Sequence, residues 1–185
     1  MWPFKRIPTH LEFMKARAAE GDTSALWELA YIYLDGKGVP KSESAWFQYL
    51  RQAGELGSAL ASYSVAARYL HKEMFDDGLK WMRQAAEQGL GQAQFTLGFI
   101  YSLGKICRKD IIEACIWLRV AGSEGSSLES EARKDLEKHF QNLFCVLTAD
   151  QKHEVLNLSD ALLARLPKVS FDEHRAKIDA YENPE

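Results

Sequence analysis

The stretch that decides the fold is residues 89–104, GLGQAQFTLGFIYSLG, because its pattern occurs twice more in the preceding part of the chain. Four glycines, at positions 21, 57, 89 and 125, are spaced 36, 32 and 36 residues apart. Counted from the first three glycines, offset +4 is always alanine: Ala25, Ala61 and Ala93. Offset +12 is always tyrosine: Tyr33, Tyr69 and Tyr101. The chain therefore contains an internal repeat.

Each repeat is predicted to form a pair of α-helices. Offsets +4, +8, +9 and +12 lie on one face of a helix. An aromatic residue eight positions before the next glycine indicates a second helix: Tyr49, Trp81 and Trp117. The residue at offset +9 is small in every unit, which lets two helices approach closely: Ala30, Ala66 and Gly98. Because one such pair cannot bury its apolar face alone, the pairs are expected to stack.

Composition narrows the class of protein. The 185 residues are 46% hydrophobic and carry a net charge of −3, which excludes a disordered chain. Phosphate binding needs a concentrated basic field, so nucleic acid is not expected as a partner. No uninterrupted apolar run is long enough for a membrane span. We expect a soluble, cytoplasmic protein with its cysteines reduced.

Three motifs identify a family resemblance: Gly36-Lys37-Gly38-Val39-Pro40, Ala85-Ala86-Glu87-Gln88-Gly89, and Ala93-x-Phe95-x-Leu97-Gly98-x-x-Tyr101-x-x-Gly104. Together they resemble Sel1-like repeats, relatives of the tetratricopeptide repeats, over roughly residues 16–125. The resemblance implies an all-α fold, a right-handed α-α superhelix or solenoid of helix pairs with helical caps, in a bacterial protein. The later loops, at 72–75 and 105–109, lack the Gly-Val-Pro signature.

The repeats are predicted at residues 21–56, 57–88 and 89–124, between an N-terminal cap at 1–20 and a C-terminal helix pair at 126–167. Thr9 precedes Leu11, Met14 and Ala18, whose helical spacing predicts the first cap helix. Thr148 and Gln151 form a capping box that opens the last helix, which should stop at Pro167. Residues 168–185 are polar and are expected to form a mobile tail.

Residues capable of catalysis are scattered rather than grouped. Ser102 and Lys105 match an S-x-x-K pattern without its accompanying elements, so chance explains them better. Cys107 lies beside Arg108 and Lys109, a setting that could lower a thiol pKa, but the repeat geometry places no base near it. Cys115 and Cys145 are expected in the core. We expect no catalytic residues, no metal and no cofactor.

A binding surface follows from the resemblance, since the first helix of each unit lines a concave face in related arrays. By analogy with tetratricopeptide repeats, ligands face offsets +6, +10, +13 and +14. The predicted partner-binding residues are Trp27, Tyr31, Leu34, Tyr63, Ala67, His71, Phe95, Phe99 and Ser102. Aromatic residues are enriched in interface hot spots. The aromatics at +6 fit either the groove or the core, and helix 149–166 or the tail could fold over the groove.

The resemblance implies a protein–protein interaction adaptor that binds a peptide or helix of another protein. A bacterial immunity protein that blocks a toxin is an alternative. A hydrolase using His71 or Cys107 is the third hypothesis, although a surface histidine near a helix C-terminus explains His71.

Overall fold

The computed structural model describes residues 9–123 and 130–167, and all regular structure in that part of the chain is helical. The helices are α1 (His10–Ala19), α2 (Thr23–Asp35), α3 (Glu43–Glu55), α4 (Ala59–His71), α5 (Phe75–Glu87), α6 (Gly91–Leu103), α7 (Ile111–Ala121), α8 (Ser130–Phe144) and α9 (Ala149–Arg165). The predicted tail at 168–185 lies outside the described residues.

The helices belong to two compact units, residues 1–65 and 66–185, which are called unit 1 and unit 2 here. The boundary falls inside α4, after Val65. In unit 1, α2 packs against α1 and α3. In unit 2, α6 packs against α5 and α7, and α7 also contacts α8 and α9.

The capping box predicted at Thr148 is confirmed, and a second one, which was not predicted, begins α1. Thr9 accepts from the backbone N–H of Glu12, whose carboxylate accepts from the Thr9 N–H, and these two bonds form a capping box. Thr148 and Gln151 form the same arrangement at the start of α9. Each box satisfies two backbone N–H groups that would lack partners at a helix start.

The first and third repeats close their loops in the same way, although only the first carries Gly-Val-Pro. Gly36 and Gly104 both adopt the left-handed conformation, with φ of 76° and 67°. Ser42 or Asp110 is then the N-cap of the next helix. The backbone N–H of Ser42 donates to the Tyr33 carbonyl at 2.9 Å. That of Asp110 donates to the Tyr101 carbonyl at 3.1 Å, so the glycine and the tyrosine carbonyl suffice for closure.

Small residues bring neighbouring helices together, as predicted. In unit 2, a Cβ built on Gly98 would lie 2.7 Å from Leu118 Cγ and 3.2 Å from the Ala114 carbonyl oxygen. A Cβ on Gly78 would lie 2.6 Å from Leu70 Cδ2. No side chain larger than hydrogen fits at either position without displacing its neighbour.

Two kinds of contact between helices were not predicted from the sequence. The first is a hydrogen bond from a polar residue at offset +5. Offset +5 holds buried Ser62 in α4 and buried Gln94 in α6. The Ser62 hydroxyl donates to the Gly54 carbonyl at 3.5 Å, and the Gln94 amide donates to the Ala86 carbonyl at 3.0 Å. Each side chain thereby satisfies a carbonyl of the preceding helix, so burial of its polar group is compensated.

Two of the three tyrosines at offset +12, Tyr33 and Tyr101, also contact a cation of the helix before them. The Lys15 ammonium lies 5.8 Å from the Tyr33 ring centroid, and Tyr33 stacks on Tyr49 at 5.6 Å. In unit 2, Arg83 donates to the Tyr101 hydroxyl at 2.6 Å and lies 5.8 Å from the Trp117 ring. The aromatic residue of each second helix, Tyr49 or Trp117, therefore helps to pack successive helix pairs against each other.

Candidate protein-binding surface

In unit 1, the predicted surface lies on α2. The rings of Trp27 and Tyr31, one helical turn apart, have centroids 5.1 Å apart and are tilted by 44°. Both side chains are partly exposed, and Leu34, one turn further, is 38% exposed. Burial, and secondarily the charge of Asp35, raises the pKa of Tyr31 above its ordinary value, so its phenol stays neutral. These three residues form a row that we call the α2 face.

Acidic groups flank the α2 face. Glu28 Oε1 lies 2.5 Å from His10 Nε2, and Asp35 forms an ion pair with Lys37 at 3.3 Å. Both acidic residues belong to the same helix as the aromatic row. Both carboxylates are therefore already paired, so the α2 face presents mainly apolar chemistry.

The structure places three further predicted residues on α4, on either side of the unit boundary. Tyr63 belongs to unit 1 and is partly exposed. Ala67 and His71 belong to unit 2 and are exposed. His71 is the last residue of α4, as expected for a surface histidine near a helix C-terminus.

In unit 2, α6 repeats the aromatic pattern of α2. Phe95 and Phe99 have ring centroids 5.0 Å apart and are tilted by 58°. They occupy the offsets of Trp27 and Tyr31, so a close aromatic pair at +6 and +10 is a feature of both helices. We call Phe95, Phe99 and Ser102 the α6 face.

The α6 face already contacts another helix of the same chain. The His139 ring, from α8, stacks on Phe99 with centroids 4.3 Å apart and planes 12° apart. The Ser102 hydroxyl donates to the Phe99 carbonyl at 2.9 Å, so it accepts the hydrogen of His139 Nε2 at 3.0 Å. Burial lowers the pKa of His139 below its ordinary value, which favours the neutral imidazole.

This contact corrects one predicted site residue. Ser102 was expected to face a ligand, but it is only 5% exposed and is bonded to His139. The sequence suggests helix 149–166 or the tail as the element that could cover the groove. Instead α8 contacts the α6 face, while α9 packs against α7, where Arg119 and Asp160 pair at 2.7 Å. The tail lies outside the described residues.

The expectation that Cys145 lies in the core is wrong. Cys145 is exposed because α8 ends at Phe144, which places the thiol in the turn before α9. Basic neighbours do not lower the pKa of Cys107, because partial burial and the Asp110 carboxylate raise it. Cys115 is buried as predicted, and burial raises the pKa of its thiol to about 11.

The described residues offer neither a metal site nor a membrane span. Across 9–123 and 130–167, no three His, Cys, Asp or Glu residues come together in a way that could hold a metal ion. Over the same residues, no helix combines the length and apolar character needed to cross a membrane.

Comparison with known proteins supports the sequence interpretation. The family model for the Sel1 repeat matches residues 23–58, 75–90 and 91–126. A solved Sel1 repeat protein from Oxalobacter formigenes is 30% identical with a TM-score of 0.61, and the alignment covers 69% of this chain and 97% of that one. That likeness confirms the fold class predicted from the repeats, an all-α solenoid of helix pairs.

Curated relatives are much longer than this chain. A chitin synthase regulator of Saccharomyces cerevisiae is 31% identical over 122 residues, which cover 62% of this chain and 18% of the regulator. An uncharacterized protein of Neisseria meningitidis serogroup B is 30% identical over 96 residues, which cover 52% of this chain and 20% of that protein. The chain thus spans about a fifth of the length of these relatives.

Proposed function

This chain belongs to the Sel1 repeat family, whose members generally act as protein-interaction scaffolds, and we propose that it is an adaptor that binds a helix or peptide of another protein. The proposed contact is the α2 face, with Trp27, Tyr31 and Leu34 as its apolar centre. The Sel1 fold is typically non-enzymatic, and the adaptor role assigns no reaction to the chain.

The observation that supports this proposal most directly is the contact that His139 of α8 makes with the α6 face. In unit 2 a helix contacts the two offsets, +10 and +13, that the family resemblance assigns to ligand binding. The first helix of a repeat in this chain can therefore receive another helix through a ring at +10. The α2 face carries the corresponding ring, Tyr31, and an exposed leucine in place of the buried Ser102.

The physical gain from such binding comes from the aromatic row. Trp27 and Tyr31 already contact each other, so little side-chain freedom is lost when a partner packs on them. Aromatic and aliphatic groups at the centre of an interface contribute most of its affinity. Glu28 and Asp35 are already paired with His10 and Lys37, so the aromatic row supplies the main part of the proposed affinity.

A matched pair of variants tests the proposal. We expect Trp27→Ala/Tyr31→Ala to weaken capture of the partner by at least about tenfold, because truncated anchors typically lose that much affinity. Phe13→Ala is the control, since Phe13 is an aromatic of unit 1 that lies on α1 and is 50% exposed. It should capture the same partner as the unaltered chain.

Circular dichroism and thermal melting complete the test. The α2 double variant should keep its helix content, so that lost capture reports the surface and not unfolding. Equal capture by the double variant and the Phe13 control would contradict the proposal.

A further inference from the structure

A second surface in unit 2 lies between the α6–α7 loop and the turn that joins α8 to α9. It is a solvent-open cleft of about 660 Å³. Its walls include Cys107, Arg108, Lys109 and Ile112 on one side, and Val146 and Gln151 on the other. It is formed by loops at one end of the helices, so it is separate from the α6 face.

The cationic wall arises where the third loop departs from the first. The two loops align as Lys37-Gly38-Val39-Pro40-Lys41 and Lys105-Ile106-Cys107-Arg108-Lys109. Arginine thus replaces proline, and the third loop carries three cations against two. Gly38 has a φ of +73°, whereas Ile106 does not adopt a positive φ, so the backbone also differs at that position.

Glycine at the start of the loop fixes the position of these cations. A Cβ on Gly104 would lie 2.6 Å from Lys109 Cβ and 3.1 Å from its backbone nitrogen. The chain therefore folds back tightly on the end of α6, and the exposed Arg108 and Lys109 follow at the rim of the cleft. Asp110 also lines the cleft, but it is engaged as the N-cap of α7, where it accepts from the Glu113 N–H at 3.0 Å, so two cations face one capping carboxylate.

The opposite wall is apolar and exposed. Val146 is 73% exposed, although it lies just after α8 and precedes the buried Leu147. A β-branched side chain exposed to this degree gains free energy when another apolar group covers it. The cleft thus has cationic side chains at its rim and an aliphatic side chain on the opposite wall. A ligand that fills it needs both acidic and apolar groups.

We propose that this cleft binds an acidic peptide segment of a partner protein, with one or two carboxylates on Arg108 and Lys109 and an aliphatic side chain against Val146. An inorganic anion would leave the aliphatic wall uncovered, and an apolar ligand would leave the cations without partners. An open cleft also fits an extended chain better than an enclosed small molecule. The proposal does not depend on the α2 face.

Cys107 provides a reporter inside the cleft, and Cys145 provides an internal control. Cys107 is partly exposed and lines the cleft, whereas Cys145 is exposed and does not line it. The probe is a synthetic blocked heptapeptide in which glutamate alternates with leucine. At saturating probe we expect iodoacetamide to alkylate Cys107 several-fold more slowly, with the Cys145 rate unchanged.

Two matched probes and two variants of the full chain sharpen the result. Peptides with lysine for glutamate, or serine for leucine, should not protect Cys107. Arg108→Glu/Lys109→Glu and Val146→Asp should each weaken binding of the acidic probe by at least about tenfold, measured by fluorescence anisotropy. Trp27→Ala/Tyr31→Ala should bind it as the unaltered chain does, which separates this site from the α2 face.

Three outcomes would overturn the proposal. One is no protection of Cys107 by the acidic probe, and another is equal protection by the lysine peptide. The third is protection by anionic phosphatidylserine vesicles without protection by the peptide, which would assign the cleft to a membrane surface.

Discussion

The helices α2 and α6 have the same place in their repeats and the same aromatic pair, but they differ one turn beyond it. At offset +13, Leu34 of α2 is 38% exposed, whereas Ser102 of α6 is 5% exposed and bonded to His139 of α8. The repeat pattern determines the backbone of both helices. A histidine of α8, the helix that follows the third repeat in the same chain, already contacts the α6 face. A repeat's ligand-binding offsets therefore do not by themselves identify an accessible surface.

The largest expected effect concerns the packing that lets α6 approach α7. We expect Gly98→Val to lower the free energy of unfolding by about 3 kcal/mol, because the added atoms overlap Leu118 and the Ala114 carbonyl. In α2 the matched position is Ala30, where Ala30→Gly should cost only about 1 kcal/mol through helix propensity. Urea denaturation of both variants measures the difference. Equal costs would show that the close approach at Gly98 is not required.

The next effect tests whether the α6 face is internal packing. Phe99→Ala should cost about 2 kcal/mol, because it removes the ring on which His139 stacks. Tyr31→Ala should cost about 1 kcal/mol or less, since the α2 face is partly exposed. Thermal melting and hydrogen exchange of α8 compare the two. If Tyr31→Ala is the more destabilising substitution, then Tyr31 belongs to the core. The α2 face would then not be more exposed than the α6 face.

A smaller effect is expected from pH. Burial holds the pKa of His139 in the folded protein below its ordinary value of 6.5, so the unfolded chain takes up the proton first. The stabilising contribution is therefore complete above about pH 6.5 and is lost as pH falls through the pKa of the folded protein. Between about pH 8 and pH 5, the unaltered chain should lose more stability than His139→Gln. Parallel losses would show that His139 is as hydrated in the folded chain as in the unfolded one.

The smallest effect on stability is expected at the exposed leucine. Leu34→Lys should change the free energy of unfolding by no more than about 0.5 kcal/mol, because the position is exposed and a cation is favourable in the last turn of α2. The same substitution should reduce partner capture, because it places a charge at the apolar centre of the α2 face. A large loss of stability would instead place Leu34 within the packed interior.

Sequence pattern was sufficient to predict the helix pairs, the cap at Thr148, and the close approach at Gly98. These features are local or repeat at a fixed spacing. The contact between His139 and Phe99 was not predictable, since it joins residues 40 positions apart and only one of them belongs to the repeat. The exposure of Cys145 depends on where α8 ends, and helix ends are the least certain part of a pattern-based prediction.

The buried Ser62 and Gln94 show a signal that could have been used. Both occupy offset +5, where the first repeat has Leu26. A polar side chain that recurs on an otherwise buried helix face indicates a recurring hydrogen bond within the array, here to the Gly54 or Ala86 carbonyl. The aromatic residues at offsets +6 and +10 could not distinguish the two faces. The same aromatic pair occurs on the α6 face, which contacts α8, and on the more exposed α2 face.

Site-specific photo-cross-linking tests most directly whether the α2 face contacts a partner protein. A benzoylphenylalanine would replace Leu34 in one chain and Leu56 in another, since both leucines are exposed in unit 1 and only Leu34 belongs to the α2 face. We predict that the chain altered at position 34 cross-links the captured partner and that the chain altered at position 56 does not. Cross-linking from position 56 alone, or equally from both, would contradict binding at the α2 face.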